Sequence, residues 1–273
     1  MSWGRLSQAE RDAAYNNSAA VADSARLVRE RNEESAVYRA AHAGHLDLAY
    51  GDAERQKWDL YPAANADAPC LVFIHGGYWQ MNRREDFAIF AEGFAAKGWS
   101  VAIPGYSLAP EATLAQIVSE LRAALDWLAA HGPQHGVSTA NIVISGWSAG
   151  GHLAALLLDH HIVQAGLAIS GVFELGPLRD TYLNAKLNLS DEEIAALSPL
   201  RLQPISKPLA IAYGTQELLA LANDSRDFHA TRAAAHAPGA LIPVAGADHF
   251  TILRELRRAD GELVRAVEAL LPH

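Results

Sequence analysis

The sequence predicts an α/β protein with a mostly parallel central sheet and helices on both faces. Three observations predict it. Short runs that are apolar at every residue recur along the chain, and each is followed by a helical pattern, as "CLVFI" is by "REDFAIFAEGFAAKG". A strand covered on both faces needs such a run, whereas a half-exposed strand alternates. Half of the 273 residues are hydrophobic, which supports one large core. No internal repeat or low-complexity linker interrupts the pattern.

The elements follow in order. Residues 7–42 are polar, rich in Ala, Arg and Glu, and free of Pro; they read as one or two helices wrapping the domain. Residues 1–45 are therefore expected to form an N-terminal helical segment that serves as a cap, and 46–273 the main domain. "LDLAY" (46–50) and "QKWDLY" (56–61) alternate polar and apolar, as half-exposed edge strands do. Core strands are expected at 70–74, 100–104, 141–145, 165–170, 208–214 and 240–246. Helices are expected in the first pattern quoted above and in "TLAQIVSELRAALDWLAAHG", "AGGHLAALLLD", "SRDFHATRAAAHA" and "FTILRELRRADGELVRAVEALL". The stretch 171–207 holds "LSDEEIAALSP", a capped helix in a segment long enough to be an insertion above the sheet.

Composition narrows the function. A net charge of −9 disfavours nucleic acid and anionic membrane surfaces as partners. The single cysteine, Cys70, cannot form an internal disulfide and opens an apolar run, so it reads as a core residue. The start shows no apolar leader, and the longest apolar stretch, "LAALLL", is too short to span a bilayer; a cytoplasmic protein is expected. Twelve histidines occur without metal-ligand spacing, and His160-His161 reads as a surface or helix-end feature.

Two motifs carry chemistry. In "NIVISGWSAGGHLAALLLD" a strand runs into Gly146-Trp147-Ser148-Ala149-Gly150 and then a helix. This is G-x-S-x-G in the strand, sharp turn and helix context that exposes a nucleophilic serine. A helix N-terminus there favours developing negative charge. The other motif is "IHGGYW", residues 74–79, at the end of an apolar strand. Adjacent glycines let backbone approach a substrate closely, and a serine attacking a carbonyl needs N–H groups aimed at the oxyanion. The amides of Gly77, Tyr78 and Ala149 are the expected donors.

The base should be a histidine on a late loop. His249 in "VAGADHFTIL" follows the last strand, whereas His229 and His236 lie in a helical pattern and His273 ends the chain. The acid should follow "PLAIAYG", where Glu217 and Asp224 both stand. Spacing favours Glu217; Asp224 suits a carboxylate near the start of a helix. In "PGYSLAPE", Tyr106 and Ser107 are expected to brace the His-Gly-Gly loop. His152, one turn into the nucleophile helix, reads as a satisfied core histidine.

These residues resemble the α/β-hydrolase superfamily from residue 46 onward. "HGGYW" joined to "GWSAGGH" is similar to the arylformamidase (kynurenine formamidase) branch and its bacterial esterase relatives. "YGDAERQKWDLYP" is similar to the segment before the first core strands of that branch. "YSLAPE" is similar to the hormone-sensitive-lipase-like esterases. The resemblance implies the α/β-hydrolase fold, a triad of Ser148, His249 and an acid, and neither metal nor organic cofactor.

The expected function is a serine hydrolase cleaving a small carboxylic ester through an acyl-enzyme. An arylformamidase acting on N-formylkynurenine or a related aryl formamide is the alternative. A non-catalytic ligand-binding protein on the same fold is the alternative of another class. Trp79, Trp147, Phe173 and Phe250 are expected to line an apolar pocket for a small ester or amide. The sequence carries no signal for oligomeric state.

Overall fold

A computed structural model describes residues 3–271, so His273 lies outside the described residues. Eight strands form one sheet. They are β1 (His45–Ala49), β2 (Lys57–Tyr61), β3 (Cys70–Ile74), β4 (Ser100–Pro104), β5 (Ile142–Trp147), β6 (Val163–Ile169), β7 (Leu209–Gly214) and β8 (Leu241–Val244). Their order is β1-β2-β4-β3-β5-β6-β7-β8. β2 runs antiparallel to β1 and β4; every other pairing is parallel. The expected fold class, the α/β-hydrolase fold with its mostly parallel sheet, is what the chain adopts.

Alternate side chains of the central strands feed two cores. From β3, Cys70, Val72 and Ile74 join one core and Leu71 and Phe73 the other. Cys70 is fully buried, and burial pushes its thiol far above the usual range.

The α-helices are α1 (Gln8–Ala13), α2 (Asn17–Ala20), α3 (Ser24–Ala41), α4 (Glu92–Ala96), α5 (Leu114–His131), α6 (Ala149–Leu156), α7 (Asn184–Leu187), α8 (Asp191–Leu197), α9 (Leu219–Ala234) and α10 (Glu262–Glu268). α5 shows why such sequences become helices. Its start is set by a capping box between Thr113 and Gln116, and Leu114, Ile117, Leu121, Leu125 and Leu128 recur on one buried face. α5, α6 and α9 pack on the first core, and α4 and α10 on the second. α7 and α8 stand in the 171–207 stretch, α8 behind a capping box of Ser190 and Glu193.

Three local expectations are corrected. β2 is not a half-exposed edge: β1 takes the edge, and Trp58 to Tyr61 are buried. The polar residue that made it alternate, Asp59, is buried in ion pairs with Arg39 and Arg84. The helical pattern over 84–96 is a 3₁₀ helix at Arg84–Ala91 before α4 takes over. The pattern after His249 is likewise a 3₁₀ helix at Thr251–Leu256, broken at Asp260-Gly261 before α10.

The N-terminal helices lie against the rest of the chain. Ser35 on α3 donates to the carbonyl of Asp86 at 2.9 Å and accepts from the amide of Ile89 at 3.3 Å. Tyr182 donates its amide to Asp12 at 2.8 Å, tying α1 to the segment before α7. No helix among the described residues is long and apolar enough to cross a membrane.

Candidate active site

The turn from β5 to α6 holds Ser148 at φ 59°, ψ −121°, outside the favoured regions for an L-residue. The flanking glycines make the turn feasible. A Cβ at Gly146 would lie 2.1 Å from the carbonyl oxygen of Gly150, and one at Gly150 would lie 2.0 Å from that of Ile74. The Ser148 amide donates to the carbonyl of Ile169 at 2.8 Å, which anchors the strained residue to β6.

His249, itself buried, follows β8 on a loop. Its Nε2 lies 3.1 Å from Ser148 Oγ and its Nδ1 3.4 Å from Glu217 Oε2. A carboxylate facing Nδ1 assigns the proton there and leaves the Nε2 lone pair toward the serine. Glu217 is itself held: Oε1 accepts the Gly214 amide at 3.0 Å and the Ser170 hydroxyl. Trp147 fixes the histidine from the other side, donating Nε1–H to the His249 carbonyl at 2.7 Å with the two ring centroids 4.8 Å apart. Such a row can draw a proton from the serine hydroxyl while the carboxylate steadies the imidazolium.

Asp224 is not in this row. It lies within α9, where Oδ2 accepts the amides of Phe173 at 2.6 Å and Glu174 at 3.2 Å. Burial pushes its carboxyl up to about 7. His152 donates Nε2–H to the Leu197 carbonyl at 2.7 Å, and burial holds its imidazole down at about 4. It is a core residue. His160 is buried against Asp126 at 3.2 Å and His161 is exposed, both away from Ser148.

The loop after β3 turns on successive positive φ values: Gly77 at 122°, Tyr78 at 49° and Trp79 at 57°. A Cβ at Gly77 would stand 2.5 Å from the carbonyl oxygen of Met81, so glycine is required there. Among the described residues the amides of Gly77, Tyr78 and Ala149 donate to no protein acceptor. Tyr106 donates its hydroxyl to the His75 carbonyl at 2.8 Å, and Asn82 Nδ2 donates to the Gly76 carbonyl at 3.0 Å. Tyr106 thus touches the loop as expected. Ser107 does not; its amide donates to Glu120 at 2.8 Å.

Gly77, Tyr78, Trp147, Ser148, His249 and Phe250 share one open cavity of about 300 Å³. Trp79 and Phe173 are not on it. Trp79 is fully buried, edge-on to His152 at 4.9 Å, and Phe173 is stacked on Phe228 at 4.4 Å. Both fill space beneath the loops. The opposite wall is one the sequence reading did not assign: Asn17, Ser18, Ser24, Ala25, Val28 and Arg31. They belong to the N-terminal segment expected to act as a cap, but its polar, weakly patterned helices did not say which side chains would face the pocket. Asn17 and Tyr15 grip the Tyr78 hydroxyl, which accepts from Asn17 Nδ2 at 3.0 Å and donates to the Tyr15 carbonyl at 2.7 Å.

The chain is similar to several known proteins. The BD-FAE family model matches residues 58–162, which include the loop after β3 and the Ser148 turn. The kynurenine formamidase of Danio rerio is 27% identical over 227 residues, covering 77% of this chain and 76% of that protein. A solved candidate thioesterase from Silicibacter sp. TM1040 superposes with a TM-score of 0.85 at 27% identity, covering 95% of this chain and 99% of that one. An esterase from Thermogutta terrifontis superposes at 0.67 with 25% identity, covering 84% and 91%.

Proposed function

Because the chain belongs to the α/β-hydrolase superfamily, with arylformamidase-like and esterase relatives, we propose that it hydrolyses small carboxylic esters with Ser148 as nucleophile. The observation that carries this reading is the Ser148–His249–Glu217 row, opening on a cavity beside three uncommitted amides. Ser148 Oγ bonds to the carbonyl carbon as its proton passes to His249 Nε2. The amides of Gly77, Tyr78 and Ala149 hold the resulting oxyanion. Collapse restores the carbonyl, breaks the bond to the leaving group, and returns the proton to it from His249. Water, deprotonated by His249, then attacks the acyl carbon; the bond to Ser148 Oγ breaks as His249 returns the proton to that oxygen, and the acid leaves. Glu217 keeps the imidazole oriented and charged when needed.

A second reading is favoured by a specific observation: the Danio rerio relative is a kynurenine formamidase aligned over three quarters of both chains. The same machinery would cleave an aryl formamide, with His249 protonating the arylamine as it leaves. A non-catalytic role has no support, since every member of the row is present and connected.

A paired assay tests both. The protein and its Ser148→Ala variant are offered p-nitrophenyl acetate, p-nitrophenyl octanoate and N-formylkynurenine. Turnover of the short ester is expected, with kcat lowered roughly 10³- to 10⁶-fold in the variant. Near-normal turnover by Ser148→Ala overturns the mechanism. Formamide turnover with kcat/KM above roughly 10⁴ M⁻¹s⁻¹ moves the assignment to the second reading.

A further inference from the structure

Among the described residues, Arg31 is the only Lys, Arg, Asp or Glu side chain on the cavity wall that Ser148 and His249 share. It is 7% exposed, yet it forms no ion pair among the described residues. That is unusual, because a buried charge without a counter-charge is expensive. The other buried arginine of this region, Arg84, pairs with Asp47, Asp59 and Glu85.

The groups that touch Arg31 are neutral, and the nearest charge that favours its guanidinium, Asp86, makes no ion pair with it. The Phe87 ring lies 4.2 Å below it. Asn32 Oδ1 accepts from Nε at 3.0 Å and from Nη2 at 2.8 Å, and Asn82 Oδ1 accepts from Nη2 at 3.3 Å. One edge of the fork is therefore fixed by two neutral amides, while Nη1 has no partner. Burial lowers the guanidinium to about 10, so it stays charged at neutral pH. A second polar group on the same wall is also unfilled. Asn17 Oδ1 is buried with no partner. Its amide orientation is fixed, since the Tyr78 hydroxyl already donates to Tyr15 and must accept from Asn17 Nδ2.

We propose that Arg31 Nη1 binds a carboxylate carried by the substrate, so that this hydrolase selects esters or amides with an anionic arm. The inference rests on the serine-hydrolase reading of the same cavity. A single cation matches a monoanion, and the planar guanidinium suits a carboxylate. Trp147 and Phe250 supply an apolar surface for the rest of such a molecule.

The test compares isosteric pairs: 3-acetoxybenzoate with 3-acetoxybenzamide, and 3-(3-acetoxyphenyl)propanoate with its carboxamide. At least one acid should exceed its amide in kcat/KM by roughly ten- to a hundredfold. Arg31→Gln should abolish that ratio, mainly through KM. Arg31→Lys, which keeps the charge, should retain part of it. Equal kcat/KM for acid and amide in both pairs overturns the proposal. So does a ratio that survives Arg31→Gln while both members lose equally; Arg31 would then only position Asn82 and the loop it braces. Independently of turnover, calorimetry with Ser148→Ala should show 3-phenylpropanoate binding more tightly than 3-phenylpropanamide by a similar factor. That preference without any hydrolysis by the parent protein would refute the serine-hydrolase reading and keep the anion site. Hydrolysis without the preference would do the reverse.

Discussion

Two acids compete on paper for one role, and their surroundings separate them. Glu217 faces His249 Nδ1 and is pinned by Gly214 and Ser170; Asp224 holds two loop amides and sees no histidine. Glu217→Gln is expected to lower kcat roughly 10²- to 10⁴-fold, since it removes the charge that steadies the imidazolium. Asp224→Asn should leave kcat within about threefold, because it lies outside the Ser148 row. It should instead change stability with pH. The Asp224 carboxyl is raised to about 7 from 3.8, so between those values the folded state keeps a proton that the unfolded state has lost. Its contribution is present below 3.8 and disappears as pH rises through 7. Asparagine still offers an oxygen to the Phe173 and Glu174 amides without ionising. Its melting temperature relative to the parent should therefore climb from pH 4 to pH 8, and a flat difference would refute the assignment. Spacing after Gly214 pointed to Glu217, but nothing in the sequence could reveal Ser170, which meets it across 47 residues.

Trp147 shows how an element, rather than one group, sets the site. It ends β5, reaches across to the His249 loop and packs among Phe87, His249 and Phe250. Trp147→Phe keeps an aromatic ring but leaves the His249 carbonyl without its donor. A loss of about 1–3 kcal/mol in stability is expected. With the imidazole less well fixed, kcat should fall about ten- to a hundredfold while KM for p-nitrophenyl acetate changes little. A change in KM alone would make Trp147 a substrate contact only. The strands were legible because a run such as Leu209 to Gly214 is apolar throughout and its partners enclose it on both sides. Patterning failed where it does not distinguish the outcomes. Phe87, Ile89 and Phe90 fit an α-helical stripe, yet they bury equally well from a 3₁₀ helix. Asp59 made β2 look half-exposed because its partners, Arg39 and Arg84, are distant in sequence.

At the scale of the molecule the same logic of long-range partners governs the N-terminal helices and the acid limb of stability. Arg31 and Asn17 are not singled out in the sequence, because the wall they join is built only when the chain folds back on the Tyr78 loop. Two histidines are buried beside that site in the neutral form. Burial holds His75 at about 3 and His152 at about 4, against 6.5 for a free imidazole. Below 6.5 the unfolded chain takes up protons that the folded protein refuses, so stability is fully present above 6.5 and is lost as pH falls through 4 toward 3. Asp224 opposes this throughout the range between 7 and 3.8, but it is one group against two. The fold is therefore expected to weaken steadily from pH 6.5 to pH 4. His152→Gln isolates one share, since glutamine can still donate to the Leu197 carbonyl but does not titrate. At pH 8 it should melt below the parent because it packs less well against Trp79. The gap should narrow as pH falls toward 4, where the parent alone pays for excluding the proton. Melting curves across that range decide it, and a gap independent of pH would mean that His152 is protonated in place without cost.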